Sequence, residues 1–169
     1  MDSIYWLVDG LLAGRPGPVQ APWDARELYA AGVRAVVSLN TEPDPGEITA
    51  AGLRHHSLPL APILPLTGPL QEMLLGELEA VLDAIHAEVR AGQPVLIHCH
   101  AGKDRTGLAL TAYLVRYHGL DIDTAIEWVR AVQPIAMSAP GYEATARRFA
   151  ENEAGPAARV GPDYGESDA

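Results

Sequence analysis

The sequence contains very little cysteine and lysine, and it has too few basic residues to balance its acidic ones. Cys99 is the only cysteine among 169 residues, so no disulfide can form within the chain. This fits the reducing cytoplasm, where we expect the protein to act. The formal net charge of -10 opposes binding to nucleic acids and to anionic membrane surfaces. We therefore predict no nucleic-acid partner, and any anion-binding site must be built locally.

Long apolar runs are also missing. No stretch approaches the roughly 20 apolar residues that a membrane-spanning helix requires. The first residues lack the basic start and apolar core of a secretory signal. These absences predict a cytoplasmic protein without integral membrane association. The oligomeric state stays open at this stage.

Metal-ligand spacing is absent as well. His55 and His56 are adjacent, and adjacent residues of a strand point to opposite faces of the sheet. No third ligand accompanies them in the sequence. We therefore expect these histidines to serve the structure, and we predict neither a bound metal nor another cofactor.

Strand and helix patterns alternate along most of the chain. Asp9-Gly10 between two apolar runs predicts a tight hairpin near the start. The alternation that follows predicts an α/β fold with a central, mostly parallel sheet of four to five strands flanked by helices. The predicted strands are 4–8, 11–14, 33–39, 53–58 and 94–98, and the predicted helices are 23–31, 47–51, 70–89, 107–117 and 140–152. A further predicted helix is capped by Asp121 or Asp123 and runs to residue 132.

The chain length suits one domain with its own hydrophobic core. We assign residues 1–153 to that domain. Residues 154–169 are rich in glycine, proline, alanine and acidic side chains. Such a composition buries too little apolar surface to fold, so we expect a disordered tail there.

The only cysteine and the only lysine lie in one stretch, His98 to Gly107. An apolar run without polar alternation precedes it, which predicts a central strand covered on both faces. A second apolar run follows and predicts a buried helix. The stretch therefore forms a loop at the carboxyl edge of a sheet, beside a helix N-terminus. Backbone N–H groups converge on anions at such places.

The residue types in this loop suit phosphoryl transfer to sulfur. Arg105 can hold two oxygens of a phosphate at once. The positive end of the following helix favours the thiolate of Cys99. A thiolate at the floor of an anion cradle is an in-line nucleophile. Gly102 gives the backbone room to turn.

The stretch resembles the signature loop of the cysteine-dependent protein tyrosine and dual-specificity phosphatases, His-Cys-x5-Arg-Thr/Ser-Gly. Its Ala-Gly-Lys-Asp-Arg-Thr-Gly part is especially similar to bacterial atypical tyrosine phosphatases. The resemblance extends loosely over residues 4–152 and implies the compact dual-specificity phosphatase fold. It implies hydrolysis of phosphomonoesters through a phosphocysteine intermediate. A phosphorylated protein, as phosphotyrosine, or a phosphoinositide is then the expected substrate.

The resemblance also implies a role for each residue of the loop. Cys99 would attack phosphorus, and Arg105 would bind the equatorial oxygens. Thr106 would ease departure of the thiolate in the second step. His98 would orient the loop and help to hold Cys99 ionised, and Lys103 would add a second cation. The residues expected to bind the phosphate are His100, Ala101, Gly102, Lys103, Asp104 and Arg105.

The chain departs from the family at the general acid, which is usually an aspartate in a loop before the cysteine. Here residues 57–71 contain four prolines and no ionisable side chain. Asp104 lies inside the stretch from His98 to Gly107, which we call the phosphate loop, and is one candidate acid. It could equally cap the helix or orient Arg105. Asp44 or Glu47 from another loop is a second possibility. A third is that no efficient acid exists, which would favour aryl over alkyl phosphates.

One alternative function uses the same loop without catalysis. A pseudophosphatase would bind a phosphorylated partner in the cradle, and the missing acid favours it. A nucleotide-binding P-loop does not fit, because Gly102-Lys103 is followed by Asp104 rather than serine or threonine. A rhodanese-like sulfurtransferase loop does not fit either, since it lacks the Arg-Thr-Gly ending.

Overall fold

Five strands form one sheet that is parallel except at one edge. The computed structural model describes residues 3–155. Within them the strands are β1 (Tyr5–Val8), β2 (Leu12–Pro16), β3 (Ala35–Ser38), β4 (Arg54–Ser57) and β5 (Val95–Cys99). Their order is β1-β2-β5-β3-β4, so β5 is central. Only the β1–β2 hairpin is antiparallel. The predicted fold class is confirmed.

Within residues 3–155, six helices cover the two faces of the sheet. They are α1 (Ala25–Ala30), α2 (Pro45–Ala50), α3 (Pro69–Arg90), α4 (Asp104–His118), α5 (Ile122–Val132) and α6 (Tyr142–Ala154). Each lies where a helix was predicted. The start of α4 differs most, because the apolar pattern begins only at Gly107 whereas the helix begins at Asp104. The last residues of the phosphate loop therefore belong to the first turn of α4.

The two faces of β5 enter different cores. Val95, Ile97 and Cys99 pack in the larger core, which α3 to α6 complete. Leu96 packs in the smaller core beneath α1 and α2. Because side chains alternate along a strand, His98 points to the same side as Leu96. The end of β5 thus sends its last two side chains to opposite faces.

The proline-rich segment between β4 and α3 has no regular structure, as its composition predicts. It is anchored by two fully buried leucines, Leu60 and Leu66. The amide of Leu66 donates to the carbonyl of Pro140 at 3.0 Å, which ties the segment to the start of α6. Residues 62–64 of the segment line the cleft described below.

The predicted domain boundary at residue 153 falls within the last turn of α6, which includes Ala154. The remainder of the predicted tail, from residue 156 onward, lies outside the described residues. Within residues 3–155, no helix combines the length and the apolar character needed to cross a bilayer.

Replacing Gly141 by alanine should destabilise the fold through two effects. Gly141 has φ +91°, and a Cβ there would collide with the carbonyl oxygen of Leu66. The left-handed backbone alone costs about 1–2 kcal/mol for a non-glycine residue. Gly119→Ala is the matched control, because Gly119 has φ +65° and open space around it. Urea unfolding should show the larger loss for Gly141→Ala. Equal losses would contradict the proposed collision.

Candidate active site

The loop between β5 and α4 carries the predicted nucleophile at its start. Cys99 is the last residue of β5, and its exposed fraction is only 2%. The helix begins five residues later at Asp104, so its positive N-terminal end faces the loop. Gly102 adopts φ +63°, and a Cβ there would collide with the backbone of Arg15. Only glycine lets the loop turn this closely against β2.

A cleft of about 190 Å³ opens over Cys99. Its polar lining comes from the phosphate loop and includes Cys99, His100, Asp104 and Arg105. Its other lining residues are Pro62, Ile63, Leu64, Ala101, Ala139 and Tyr142. The structure therefore brings the predicted nucleophile and the predicted phosphate-binding arginine into one space. The walls around them are largely apolar.

The guanidinium of Arg105 is nearly buried and held in place by backbone carbonyls. Its Nη1 donates to the carbonyl oxygens of Leu39, at 3.3 Å, and Leu60, at 3.2 Å. One acceptor follows β3 and the other lies in the proline-rich segment. These bonds fix the orientation of the guanidinium, and no carboxylate within residues 3–155 forms an ion pair with it, so its positive charge is available to an anion in the cleft.

Thr106 is fully buried, and its hydroxyl has no hydrogen-bond partner among the described residues. Leaving a buried hydroxyl unpaired costs roughly 1–3 kcal/mol. Unpaired buried groups are rare in native structures and call for a reason. A hydroxyl that acts only during a reaction at the neighbouring thiol would supply one.

His98 supports the loop from the opposite face of the sheet. Its ring is buried against Trp23, edge to face with 4.9 Å between ring centroids. Burial lowers the pKa of His98 to about 4, so the ring is neutral at pH 7. Nδ1 lies 3.2 Å from the carbonyl oxygen of Cys99, and Nε2 lies 2.6 Å from Oγ of Ser38. A neutral ring orients the loop by hydrogen bonds, and it brings no positive charge to the thiolate.

These contacts fix which atoms donate and which accept along a chain of hydrogen bonds. The carbonyl of Cys99 can only accept, so Nδ1 of His98 carries the proton and donates to it. Nε2 of His98 must then accept from the hydroxyl of Ser38. Ser38 in turn accepts from Nε2 of His55 at 2.8 Å. His55 thus extends the chain of hydrogen bonds behind the loop.

Two further contacts hold the loop from outside. The hydroxyl of Tyr5 donates to the carbonyl of Gly102 at 2.6 Å. The amide of Gly17 donates to the carbonyl of His100 at 2.9 Å. The hairpin and the segment after β2 therefore hold the loop through its backbone carbonyls. The sequence motif gave no signal for either contact.

A model of the family described as dual specificity phosphatase, catalytic domain, matches residues 34–151. The chain belongs to the dual specificity phosphatase family. Dual specificity phosphatase 28 of Homo sapiens is 31% identical over 136 residues, covering 80% of this chain and 72% of that protein. The protein is thus a cysteine-dependent phosphatase.

Solved structures agree with this assignment. The crystal structure of Tk-PTP in the active form has a TM-score of 0.73 and 25% identity, with 89% of this chain and 97% of that chain covered. The crystal structure of PTPMT1 in complex with PI(5)P has a TM-score of 0.72, covering 95% of this chain and 100% of that chain. Its identity of 20% supports the shared fold alone.

In this phosphatase, Asp104 is bound by donors on both carboxylate oxygens. Oδ2 lies 2.9 Å from Nζ of Lys103, and Oδ1 accepts from the amide of Ala139 at 3.1 Å. Lys103 also donates to Oγ of Ser138 at 2.9 Å. Asp104 therefore ties the first turn of α4 to the segment before α6. Lys103 neutralises Asp104 and is not among the residues that line the cleft.

Neither candidate acid from the other loop is among the residues that line the cleft over Cys99. Asp44 is the N-cap of α2, and its Oδ1 accepts from the amide of Gly46 at 2.7 Å. Glu47 lies in the first turn of the same helix and lines a separate groove beside Trp23. That groove contains neither Cys99 nor Arg105. Asp44 is thus engaged as a helix cap, and Glu47 lines a different groove.

The structure places a different carboxylate beside the loop. Oε1 of Glu42 lies 2.5 Å from Nδ1 of His100. Glu42 follows β3, and His100 follows β5. The carboxyl ends of neighbouring parallel strands meet at one sheet edge, and this rule could have singled out Glu42 from the sequence. Its partner in the loop could not have been named, because the two residues are 58 positions apart.

Within residues 3–155, no group of three or more His, Cys, Asp or Glu side chains is arranged to bind a metal ion. His56 is paired with Glu88, at 2.8 Å from Nε2 to Oε1, on the side of the sheet opposite His55. The adjacent histidines thus serve different contacts.

Acid should destabilise the protein through His98. Its folded pKa of about 4 lies below the ordinary 6.5, so the unfolded chain takes up the proton first as the pH falls. Stability is retained above pH 6.5 and lost progressively toward pH 4. The loss attributable to His98 is about 2–3 kcal/mol by pH 4.5. Urea unfolding of wild type and His98→Gln at pH 7 and 4.5 measures it. An equal acid sensitivity of both proteins would contradict a buried neutral ring.

Proposed function

We propose that this phosphatase hydrolyses phosphomonoesters through a phosphocysteine on Cys99, and that aryl phosphates such as phosphotyrosine are its preferred substrates. The observation that carries the proposal is that Cys99 and Arg105 line one cleft with apolar walls. Phosphorylated tyrosine presents a dianion on an aromatic ring. Arg105 and the N-terminus of α4 suit the dianion, and the apolar walls of the cleft suit the aromatic ring.

The proposed reaction has two steps. In the first, Sγ of Cys99 attacks phosphorus, the bond from phosphorus to the leaving oxygen breaks, and a phosphocysteine forms. In the second, water attacks phosphorus, the S–P bond breaks, and inorganic phosphate leaves. Arg105 holds the non-bridging oxygens throughout, and the first N–H groups of α4 add to the same field. Neither step requires a metal or another cofactor.

Two residues complete this scheme. The unpaired hydroxyl of Thr106 donates a hydrogen bond to the sulfur when the thiolate leaves in the second step. His98 keeps the carbonyl of Cys99 in place. The backbone N–H groups from His100 to Arg105 cradle the phosphate. Lys103 acts indirectly in our proposal, since its ammonium is bound to Asp104 and Ser138.

The walls of the cleft support the aryl preference. Pro62, Ile63 and Leu64 form one side, and Ala139 and Tyr142 form the other. The hydroxyl of Tyr142 donates to the carbonyl of Ile63 at 3.0 Å, which joins the two sides. A flat ring buries apolar surface against such walls. A serine phosphate has only a short alkyl stem to offer them.

Phosphoinositides are the second substrate class to be considered, because the structural neighbour PTPMT1 was solved in complex with PI(5)P. The charges around this cleft favour them less. Two carboxylates, Glu42 and Asp104, flank Arg105 in the two adjoining clefts, and Lys103 is paired. The net charge of -10 also opposes an anionic bilayer. We therefore place phosphotyrosine first.

A non-catalytic phosphate-binding module is the alternative function. The observation that favours it is the apolar segment 57–71, which forms a cleft wall where the family usually places its acid. Such a module would bind a phosphorylated protein tightly and release no phosphate. Turnover distinguishes the two functions directly.

Cys99→Ser should abolish hydrolysis of p-nitrophenyl phosphate, because serine is not ionised at neutral pH and cannot replace the thiolate. Arg105→Ala should lower kcat/KM by at least about 10²-fold, since it removes the principal oxyanion donor. Arg148→Ala, on the exposed face of α6, is the control and should retain wild-type activity. Assays in chelator exclude a contaminating metal enzyme. Activity that survives Cys99→Ser would contradict the phosphocysteine route.

Peptides of identical sequence that carry phosphotyrosine or phosphoserine should differ in kcat/KM by at least about 10-fold, in favour of phosphotyrosine, because only the ring fills the apolar cleft. Neutral vesicles doped with a phosphoinositide monophosphate form the third arm. Inorganic phosphate release is the common measurement. A faster reaction on the vesicles would overturn the aryl preference while leaving the phosphatase chemistry intact.

A further inference from the structure

His100 occupies a position suited to chemistry as well as to phosphate binding. It follows Cys99 directly, and its side chain is about half exposed. It lines the cleft over Cys99 and also the adjoining cleft of about 490 Å³. Arg105 and Pro62 line both clefts too. His100 therefore stands at the boundary where a leaving group would emerge from the phosphate site.

The ring of His100 is oriented by a carboxylate. Nδ1 lies 2.5 Å from Oε1 of Glu42, so Nδ1 carries the proton that it donates. Nε2 makes no hydrogen bond within the described part of the chain and is the nitrogen left for the cleft. A carboxylate on Nδ1 fixes the ring orientation and stabilises the imidazolium. Histidine exchanges protons near neutral pH, which suits an acid in one step and a base in the next.

Glu42 is itself held by the structure rather than placed by chance. Its amide donates to Oδ1 of Asn40 at 3.2 Å, and its side chain is only 16% exposed. Gly17 contacts both members of the pair. Its amide donates to the carbonyl of His100, and a Cβ on Gly17 would collide with Oε2 of Glu42. The absence of a side chain at residue 17 thus makes room for this arrangement.

The other carboxylates near the loop are engaged elsewhere. Asp104 accepts from Lys103 and from a backbone amide. Asp44 caps a helix, and Glu47 lines a different groove. Glu42 lines only the adjoining cleft, so His100 is the group of the pair that reaches the space over Cys99.

We propose that His100, oriented by Glu42, is the proton donor to the leaving oxygen and the base that activates water. As the thiolate of Cys99 forms the S–P bond and the P–O bond breaks, Nε2–H of the imidazolium passes its proton to the leaving oxygen. The neutral imidazole then takes a proton from the attacking water. The new P–O bond forms, the S–P bond breaks and the imidazolium is restored. The inference rests on the proposed phosphocysteine chemistry.

A leaving-group series tests this role. Aryl phosphates from p-nitrophenyl to phenyl phosphate present oxygens of increasing basicity, and a proton donor matters most for the most basic ones. His100→Gln should lower kcat/KM for phenyl phosphate by about 10²-fold and for p-nitrophenyl phosphate by a clearly smaller factor. The dependence of rate on leaving-group basicity should therefore steepen. Glu42→Gln should steepen it less, because His100 remains.

A pH profile provides the second readout. With phenyl phosphate, the pH profile of wild-type kcat/KM should show a basic limb that His100→Gln lacks, because a proton donor acts only while it is protonated. His118→Gln, an exposed histidine at the end of α4, is the matched control and should keep both the limb and the slope. Retained orthovanadate binding by His100→Gln shows that its phosphate loop is intact.

Three results would overturn the inference. One is an equal loss in His100→Gln for every leaving group. Another is an Asp104→Asn variant that steepens the slope while His100→Gln does not, which would assign the proton to Asp104. Loss of orthovanadate binding in His100→Gln would assign His100 a structural role instead. If wild type forms no phosphocysteine at all, the proposed function fails together with this inference, and that outcome is visible before any histidine variant is made.

Discussion

The structure depends on the burial of β5 on both faces. Because the strand is central, its last two side chains must enter opposite layers, and Cys99 reaches the cleft while His98 enters the smaller core. The helix that follows starts at Asp104 and directs its positive end at the turn between them. The packing of β5 therefore places Cys99, the supporting His98 and the positive end of α4 within a few residues of one another in the chain.

The strand β5 and the start of α4 position the nucleophile, but the proposed proton transfer also depends on a residue outside them, Glu42. Residues 57–71 bind Arg105 through the carbonyl of Leu60, but they contain no ionisable side chain that could donate a proton. Besides Asp104 in the loop itself, the edge of the sheet supplies a carboxylate. Glu42 follows β3 and meets His100, which follows β5. The same edge that gathers the phosphate site thus supplies a carboxylate–histidine pair.

The order of strands and helices could be predicted from the sequence, because most of the elements are separated by glycine, proline or a capping aspartate. The start of α4 could not, since its first turn, Asp104 to Thr106, is polar. The loop motif named Cys99 and Arg105 but missed Ser38 and Tyr5. Their partners lie 60 and 97 positions away, beyond the reach of any local pattern. The sequence did not show whether Asp44 caps a helix or serves as an acid, because both roles use the same side chain.

The central claim is that Cys99 becomes phosphorylated during turnover. Rapid-quench kinetics with p-nitrophenyl phosphate, followed by mass spectrometry of the acid-quenched protein, tests it most directly. Phosphate should appear on Cys99 within the first turnover and should decay at a rate no slower than kcat. Phosphate release from wild type with no phosphorylated cysteine at any quench time would contradict it.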